Sequence, residues 1–155
     1  MLNISRRILV SAPRDSVRKY LSDLREIANY ETKVDSIEVA PPAEGVAGRE
    51  ASAEGRFFGL PWRGTFRFEM TQDGGYRGVM VRGPLRRMEC RIILRSVAGG
   101  TVIEHDETYE LPMILRPLDF LIRRWLDQTL ENELDFIKEG AEGLNRRLQL
   151  QRLEA

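Results

Sequence analysis

Three side chains capable of proton transfer occupy alternate positions near the end of a predicted strand, residues 101–111. They are His105, Glu107 and Tyr109, and His105 is the only histidine of the chain. Side chains two residues apart on a strand project from the same face, roughly 6–7 Å apart. An imidazole beside a carboxylate is a common acid–base pair near neutral pH. The spacing therefore predicts a catalytic set, a set of polar contacts to a ligand, or a structural hydrogen-bonded pair.

The charge and cysteine counts argue against several other chemistries. The chain has 24 basic and 24 acidic side chains, whereas nucleic-acid-binding domains usually carry a basic excess. Cys90 is the only cysteine and falls among apolar residues, so a zinc cluster, a disulfide and a catalytic thiol are not expected. The glycine pairs at residues 74–75 and 99–100 are not followed by a helix with the Lys and Ser/Thr of a phosphate-binding loop. We expect no nucleic-acid partner, no metal and no cofactor.

The sequence also lacks the signals of membrane insertion. Its longest run without charge, residues 96–103, is far shorter than the about 20 apolar residues of a spanning helix. The first seven residues lack the basic-then-apolar order of a signal peptide. A single free thiol is compatible with a reducing compartment. We therefore expect a cytoplasmic protein without integral membrane association.

Hydrophobic periodicity predicts one strand, two short helices and then six strands in series. Alternation of apolar and polar side chains is clearest in residues 62–71. The apolar members on one face of that strand are Trp62, Phe66, Phe68 and Met70. Glycine-containing turn signals at residues 73–75 and 98–100 predict hairpins, so that the strands are antiparallel.

A long amphipathic helix is predicted after the last strand. Apolar side chains recur at steps of four and three between Pro117 and about Leu150. We expect Gly140 and Gly143 to bend this helix or to end it early. The helix is the only element large enough to cover the apolar face of the sheet. The order of elements predicts a single α+β domain over residues 1–155.

Charge is distributed unevenly along the predicted strands and helix. Residues 49–95 hold ten arginines against five acids, and residues 101–142 hold eleven acids against four bases. Pairing of the last two strands would place Arg91 and Arg95 near Glu104 and Asp106 on the outer face. Opposite charges on paired strands attract one another. We interpret the uneven charge as a solvated ion-pair surface, with a binding patch as the alternative.

The chain opens with an apolar strand followed by residues 12–17 (Ala-Pro-Arg-Asp-Ser-Val) and residues 20–24 (Tyr-Leu-Ser-Asp-Leu). This opening resembles the START-like (SRPBCC) superfamily, which includes birch-pollen-allergen-like, polyketide cyclase/dehydrase and coenzyme Q-binding-like proteins. Residues 101–112 before the long helix fit the same pattern. The resemblance implies a helix-grip fold: a curved seven-stranded antiparallel sheet wrapped around a long C-terminal helix, with two short helices after the first strand.

The resemblance further implies an apolar cavity between sheet and helix, with the His105 face of the last strand directed inward. Arg82 is then a candidate partner for a buried Glu107. The side chains expected to contact a ligand are Trp62, Phe66, Phe68, Met80, Arg82, Met88, Cys90, Ile92, Ile103, Ile122, Trp125 and Leu126. Ordinary core packing is the alternative role for the apolar members of this set.

The favoured function is binding of a hydrophobic small molecule, such as a lipid, a quinone or a polyketide-like compound. The first alternative is an enzyme of the polyketide cyclase/dehydrase type that uses His105 with Glu107 or Tyr109. The second is a protein-interaction module that works through the long helix and the apolar loop at residues 57–61. That loop is a portal to the cavity, a contact surface, for example of a homodimer, or a loop folded onto its own core.

Overall fold

Seven antiparallel strands form one sheet in the computed structural model, which describes residues 1–155. The strands are β1 (Leu2–Val10), β2 (Val34–Val39), β3 (Arg49–Phe57), β4 (Leu60–Met70), β5 (Tyr76–Arg82), β6 (Arg87–Val97) and β7 (Gly100–Glu110). Their order across the sheet is β1-β7-β6-β5-β4-β3-β2. Strands β2 to β7 therefore pair with their neighbours in sequence, and only β1 pairs with a strand distant in the chain.

The helices lie at two places in the chain. Helices α1 (Arg14–Ser22) and α2 (Ile27–Tyr30) connect β1 to β2, and α3 (Asp119–Glu154) follows β7 after a 3₁₀ segment, Met113–Leu118. The buried side chains of α3 repeat at helical spacing and include Ile122, Leu126, Leu130, Leu134, Ile137 and Ala141. This arrangement confirms the predicted helix-grip fold. No helix of the structure combines the length and the hydropathy of a membrane-spanning segment.

Helix α3 differs from the prediction at both ends. Pro117 lies in the 3₁₀ segment rather than in α3, which begins two residues later. Of the two expected effects of Gly140 and Gly143, an early end does not occur, because α3 continues through both to Glu154. A Cβ at Gly140 would come within 2.2 Å of the Tyr20 ring, so glycine lets α1 approach α3 closely.

The inner face of β7 agrees with the alternation of its sequence. Its buried side chains are Thr101, Ile103, His105, Glu107 and Tyr109, and the residues between them are partly exposed. On the outer face, Arg95 forms the expected ion pair with Glu104 at 3.2 Å. Arg91 lies opposite Asp106, which accepts a hydrogen bond from Ser5 at 2.5 Å.

Two side chains predicted to face the core are instead exposed. Met70, the last residue of β4, has 47 % of its surface accessible. Arg82 is displaced by a β-bulge, since Phe66 pairs with Met80 but Thr65 pairs with Arg82. The extra residue on β5 reverses the alternation beyond Met80 and places Arg82 with Thr65 on the outer face. The predicted contact of Arg82 with Glu107 is therefore wrong.

The turn between β4 and β5 is organised by one carboxylate. Asp73 accepts hydrogen bonds from the Thr71 hydroxyl, from the Gly75 N–H at 3.0 Å and from the Leu94 N–H at 3.3 Å. Partial burial raises the pKa of Asp73, but these hydrogen bonds outweigh it and hold the pKa below its usual value. The carboxylate therefore stabilises the fold in its ionised form and links the turn to β6.

We predict that Asp73→Asn lowers the free energy of unfolding at neutral pH by about 1–2 kcal/mol. Because the folded state depresses the pKa, the stabilisation is fully present above about pH 5 and is lost as the pH falls below about 4. Urea unfolding of both proteins between about pH 7 and pH 3 measures the difference. The exposed Asp35→Asn variant is the control, and a difference that persists unchanged at acid pH would contradict the prediction.

Candidate functional site

A cavity of about 270 Å³ opens between the inner face of the sheet and the chain that precedes α3. Its 14 lining residues include the floor formed by Trp62, Phe66, Met80, Met88 and Tyr109. Lys33 is the only charged residue that lines it. The cavity is therefore an apolar space with one charged group in its wall.

Three connections form the rim of this cavity. The β3–β4 hairpin contributes Phe57, Leu60 and Pro61, and the β5–β6 connection contributes Pro84 and Leu85. The segment before α3 contributes Pro112, Ile114 and Leu115. The hairpin closes through Phe58 and Gly59, whose φ angles of 50° and 80° are those of a tight type I′ turn. Loop 57–61 thus lies at the rim, and its role as a portal stays a prediction.

The predicted ligand contacts separate into groups in the structure. Four of them line the cavity: Trp62, Phe66, Met80 and Met88. Two more, Phe68 and Cys90, line a second space of about 50 Å³. Four are packed in the core without reaching the cavity: Ile92, Ile103, Ile122 and Leu126. Trp125 packs against Phe57 and Phe58, and Arg82 lies on the outer face.

Burial raises the pKa of the Cys90 thiol well above its usual range, so it packs as a thiol rather than reacting as a thiolate.

A buried charged cluster adjoins the cavity, and we call Glu31, Lys33, Glu107 and Glu133 the lysine cluster. The Lys33 Nζ lies 2.5 Å from an oxygen of Glu31, 2.5 Å from one of Glu133 and 3.2 Å from one of Glu107. Lys33 comes from the turn before β2, Glu107 from β7 and Glu133 from α3. One ammonium group therefore joins the β2 edge of the sheet, strand β7 near the opposite edge, and the long helix.

The pKa values in the lysine cluster follow from burial and from mutual charge. Burial lowers the pKa of Lys33, but the nearby carboxylates outweigh it and hold the pKa well above its usual value. Burial raises the pKa of Glu31, but Lys33 and other groups lower it to about 2. Burial and the Glu31 charge raise the pKa of Glu133 well above its usual value. Burial in this cluster thus makes Glu133 a weaker acid than a solvent-exposed glutamate.

His105 lies behind this cluster. It is 1 % exposed, with Nε2 3.5 Å from a Glu107 oxygen and Nδ1 3.9 Å from a Glu133 oxygen. Neither ring nitrogen has a hydrogen-bond partner, and the ring does not line the cavity. The Tyr109 hydroxyl instead donates to Glu107 at 2.5 Å. The three predicted catalytic residues are therefore close together, but only Tyr109 reaches the cavity wall.

The same side chains include a set of metal-ligand types. Glu31, His105, Glu107 and Glu133 each place one ligand atom within 4.8 Å of the others. The Lys33 ammonium already lies among the three carboxylates, so a metal ion would have to displace it. In this structure the cation that the carboxylates surround is the ammonium group of Lys33. The expectation that no metal binds stays a prediction.

Lys33, Glu31 and Glu133 were not among the residues predicted from the sequence. Glu133 did carry a signal, because it falls between Leu130 and Ile137 on the apolar stripe of α3, where a charged residue is unusual. Lys33 is one of only three lysines in the chain, but nothing in its neighbourhood indicates burial. Its partners Glu107 and Glu133 are 74 and 100 residues away in the sequence.

The helix-grip sheet and its apolar cavity define a START-like protein. The chain belongs to the family described as polyketide cyclase / dehydrase and lipid transport, whose model matches residues 1–142. This confirms the predicted superfamily. No curated protein matches the sequence.

Several solved structures share the fold. A protein from Thermus thermophilus has a TM-score of 0.79 at 20 % identity, over 90 % of this chain and 97 % of that chain. The ZhuI aromatase/cyclase from Streptomyces sp. R1128 has a TM-score of 0.69 at 16 % identity, over 91 % and 93 %. A START superfamily protein from Mycobacterium smegmatis has a TM-score of 0.66 at 13 % identity, over 94 % and 98 %. At these identities the likeness shows the fold alone.

We predict that Lys33→Met lowers the free energy of unfolding by about 3–5 kcal/mol, because it leaves buried carboxylates without their cation. Arg67→Met is the matched control, since Arg67 pairs with Glu50 at 3.1 Å on the exposed face. Breaking that pair is expected to cost no more than about 1 kcal/mol. Urea unfolding at neutral pH compares the two, and equally small losses would show that the lysine cluster does not support the fold.

Proposed function

We propose that the protein binds one compact hydrophobic molecule in the 270 Å³ cavity, with a neutral polar group of the ligand at Lys33 and Tyr109. The observation that carries this proposal is the apolar wall with a single charged residue in it. Ligand sites typically combine such a wall with a few polar groups that fix orientation. Membership of a family described by polyketide cyclase, dehydrase and lipid transport supports the same class of ligand.

The cavity volume limits the size of the ligand. Small-molecule sites usually measure about 300–1,000 Å³, and a cavity of about 150 Å³ holds a benzene ring. A volume of about 270 Å³ therefore suits a molecule of about two rings. A quinone-like or polyketide-like ring system fits these limits better than the whole of a two-chain lipid.

The charge around Lys33 limits the polar group of the ligand. Its ammonium already contacts three carboxylates, which leaves no unpaired positive charge for an anion. An anionic ligand would add negative charge beside Glu107 and Glu31, at a cost that grows in an apolar environment. A carbonyl or hydroxyl oxygen can accept a hydrogen bond without that cost. The site thus favours neutral ligands over acids of the same shape.

A matched pair of probes tests this preference. We expect 2-naphthol to bind at least about tenfold more tightly than 2-naphthoate by isothermal titration calorimetry at neutral pH. Met80→Trp, which fills the cavity, should weaken naphthol binding by at least about tenfold. Met70→Trp adds the same bulk at an exposed site and should leave binding unchanged. Equal affinity for the two probes, or no effect of Met80→Trp, would contradict the proposal.

Acid–base catalysis is the second candidate, and the short hydrogen bond between Tyr109 and Glu107 favours it. Tyr109 lines the cavity, and burial together with the Glu107 charge raises its pKa well above the usual value. The hydroxyl therefore remains protonated and can donate a hydrogen bond or a proton to a ligand oxygen. In this form of the hypothesis, Tyr109 and Glu107 act at the cavity, and His105 acts only through Glu107.

We predict that Tyr109→Phe separates the two candidates once a cognate compound is identified by native mass spectrometry and extraction of the purified protein. An enzyme would lose turnover by about 100-fold or more while its dissociation constant changes by less than about tenfold. A binding protein would show no turnover in either form and only a weakened affinity. The variant keeps the ring that packs on Phe57, which limits the effect on folding.

A further inference from the structure

A band of exposed apolar side chains adjoins the mouth of the cavity. Within the 3₁₀ segment and the start of α3, Met113 is 71 % exposed, Ile114 84 % and Phe120 71 %. Leu60, 52 % exposed, lies on the β3–β4 hairpin. Ile114 and Leu60 both line the cavity, so the band adjoins its opening. Exposed apolar patches are typical of sites that contact proteins, membranes or ligands.

We call this surface the mouth patch, and it consists of Leu60, Met113, Ile114, Leu118, Phe120 and Leu121. Exposed arginines lie next to it along the chain. Arg116, Arg123 and Arg124 belong to the 3₁₀ segment and α3, Arg86 belongs to the β5–β6 connection, and Arg82 and Arg87 are the strand residues at the two ends of that connection. In residues 82–89 and 110–124 there are six arginines against three acids, whereas the whole chain has no net charge.

We propose that the mouth patch docks on the surface of an anionic membrane, from which the cavity exchanges its hydrophobic ligand. Apolar side chains flanked by basic ones are the combination that enters the interfacial layer of a bilayer. The apolar groups lie at the boundary of the acyl chains, and the arginines lie near the lipid phosphates. Docking of this kind needs no helix that crosses the membrane.

The charge of the mouth patch also argues against a second copy of the chain as its occupant. A two-fold symmetric dimer places the same surface of each copy against the other. Such an interface would bring the arginines of one copy towards those of its partner, and like charges oppose association. An anionic bilayer offers the complementary charge together with an apolar layer.

Vesicle flotation tests the docking without any ligand. We expect the protein to bind vesicles of phosphatidylcholine and phosphatidylglycerol at least about tenfold more tightly than vesicles of phosphatidylcholine alone. The difference should shrink as salt is raised, because surface charges are screened. The double variant M113S/F120S should bind the anionic vesicles at least about tenfold more weakly.

Matched substitutions at the far end of α3 provide the control. The double variant L150S/L153S removes two exposed leucines from the C-terminal turns and should bind vesicles as the unchanged protein does. Equal binding to both vesicle types, or equal loss in both double variants, would overturn the proposal. A dimer in gel filtration that M113S/F120S converts to a monomer, without vesicle binding, would overturn it as well.

The role of docking in ligand exchange rests on the proposed function. The measurement of vesicle binding does not, because it uses no ligand. Met113 and Phe120 do not line the cavity, so M113S/F120S should retain its affinity for 2-naphthol in buffer. Met80→Trp should retain its affinity for anionic vesicles while it loses naphthol binding. The two variants therefore report separately on the membrane surface and on the cavity.

Discussion

The ammonium group of Lys33 is the contact on which both the fold and the cavity depend. It lies among carboxylates from the turn before β2, from β7 and from α3. A buried charge is tolerated only where opposite charges surround it, so these three segments must meet at one place. That requirement fixes the β2 edge of the sheet relative to the long helix, and it places the only charged residue of the cavity wall.

The sequence predicts the parts of this arrangement that repeat regularly along the chain. Alternation in β7 places His105, Glu107 and Tyr109 on the inner face, because side chains of a strand point to opposite sides in turn. The same rule places Arg82 on the wrong face, since one extra residue in β5 reverses the alternation of the residues after it. A β-bulge depends on how two strands pair, so the sequence of one strand alone does not reveal it.

Lys33 illustrates a second limit of prediction from sequence. It stands in a turn next to Glu31 and Thr32, where charged residues are normally solvated. Its burial depends on Glu107 and Glu133, which approach it only when the whole sheet has curved around α3. Glu133 is different, because its place in an apolar helical stripe already indicates a buried charge in need of a partner.

The two ends of the cavity differ in a way that relates the proposed ligand to the proposed docking surface. The inner end holds Lys33, whose charge is compensated, and the uncharged Tyr109 hydroxyl, whereas the mouth is apolar and flanked by arginines. An amphiphile in a bilayer keeps its polar end at the water interface, where a docked protein would meet it first. A ligand that enters the cavity with its polar end first would bring that end to Lys33 and leave its apolar body between Trp62 and Ile114. The ligand would thus reach its bound orientation without reversing its direction.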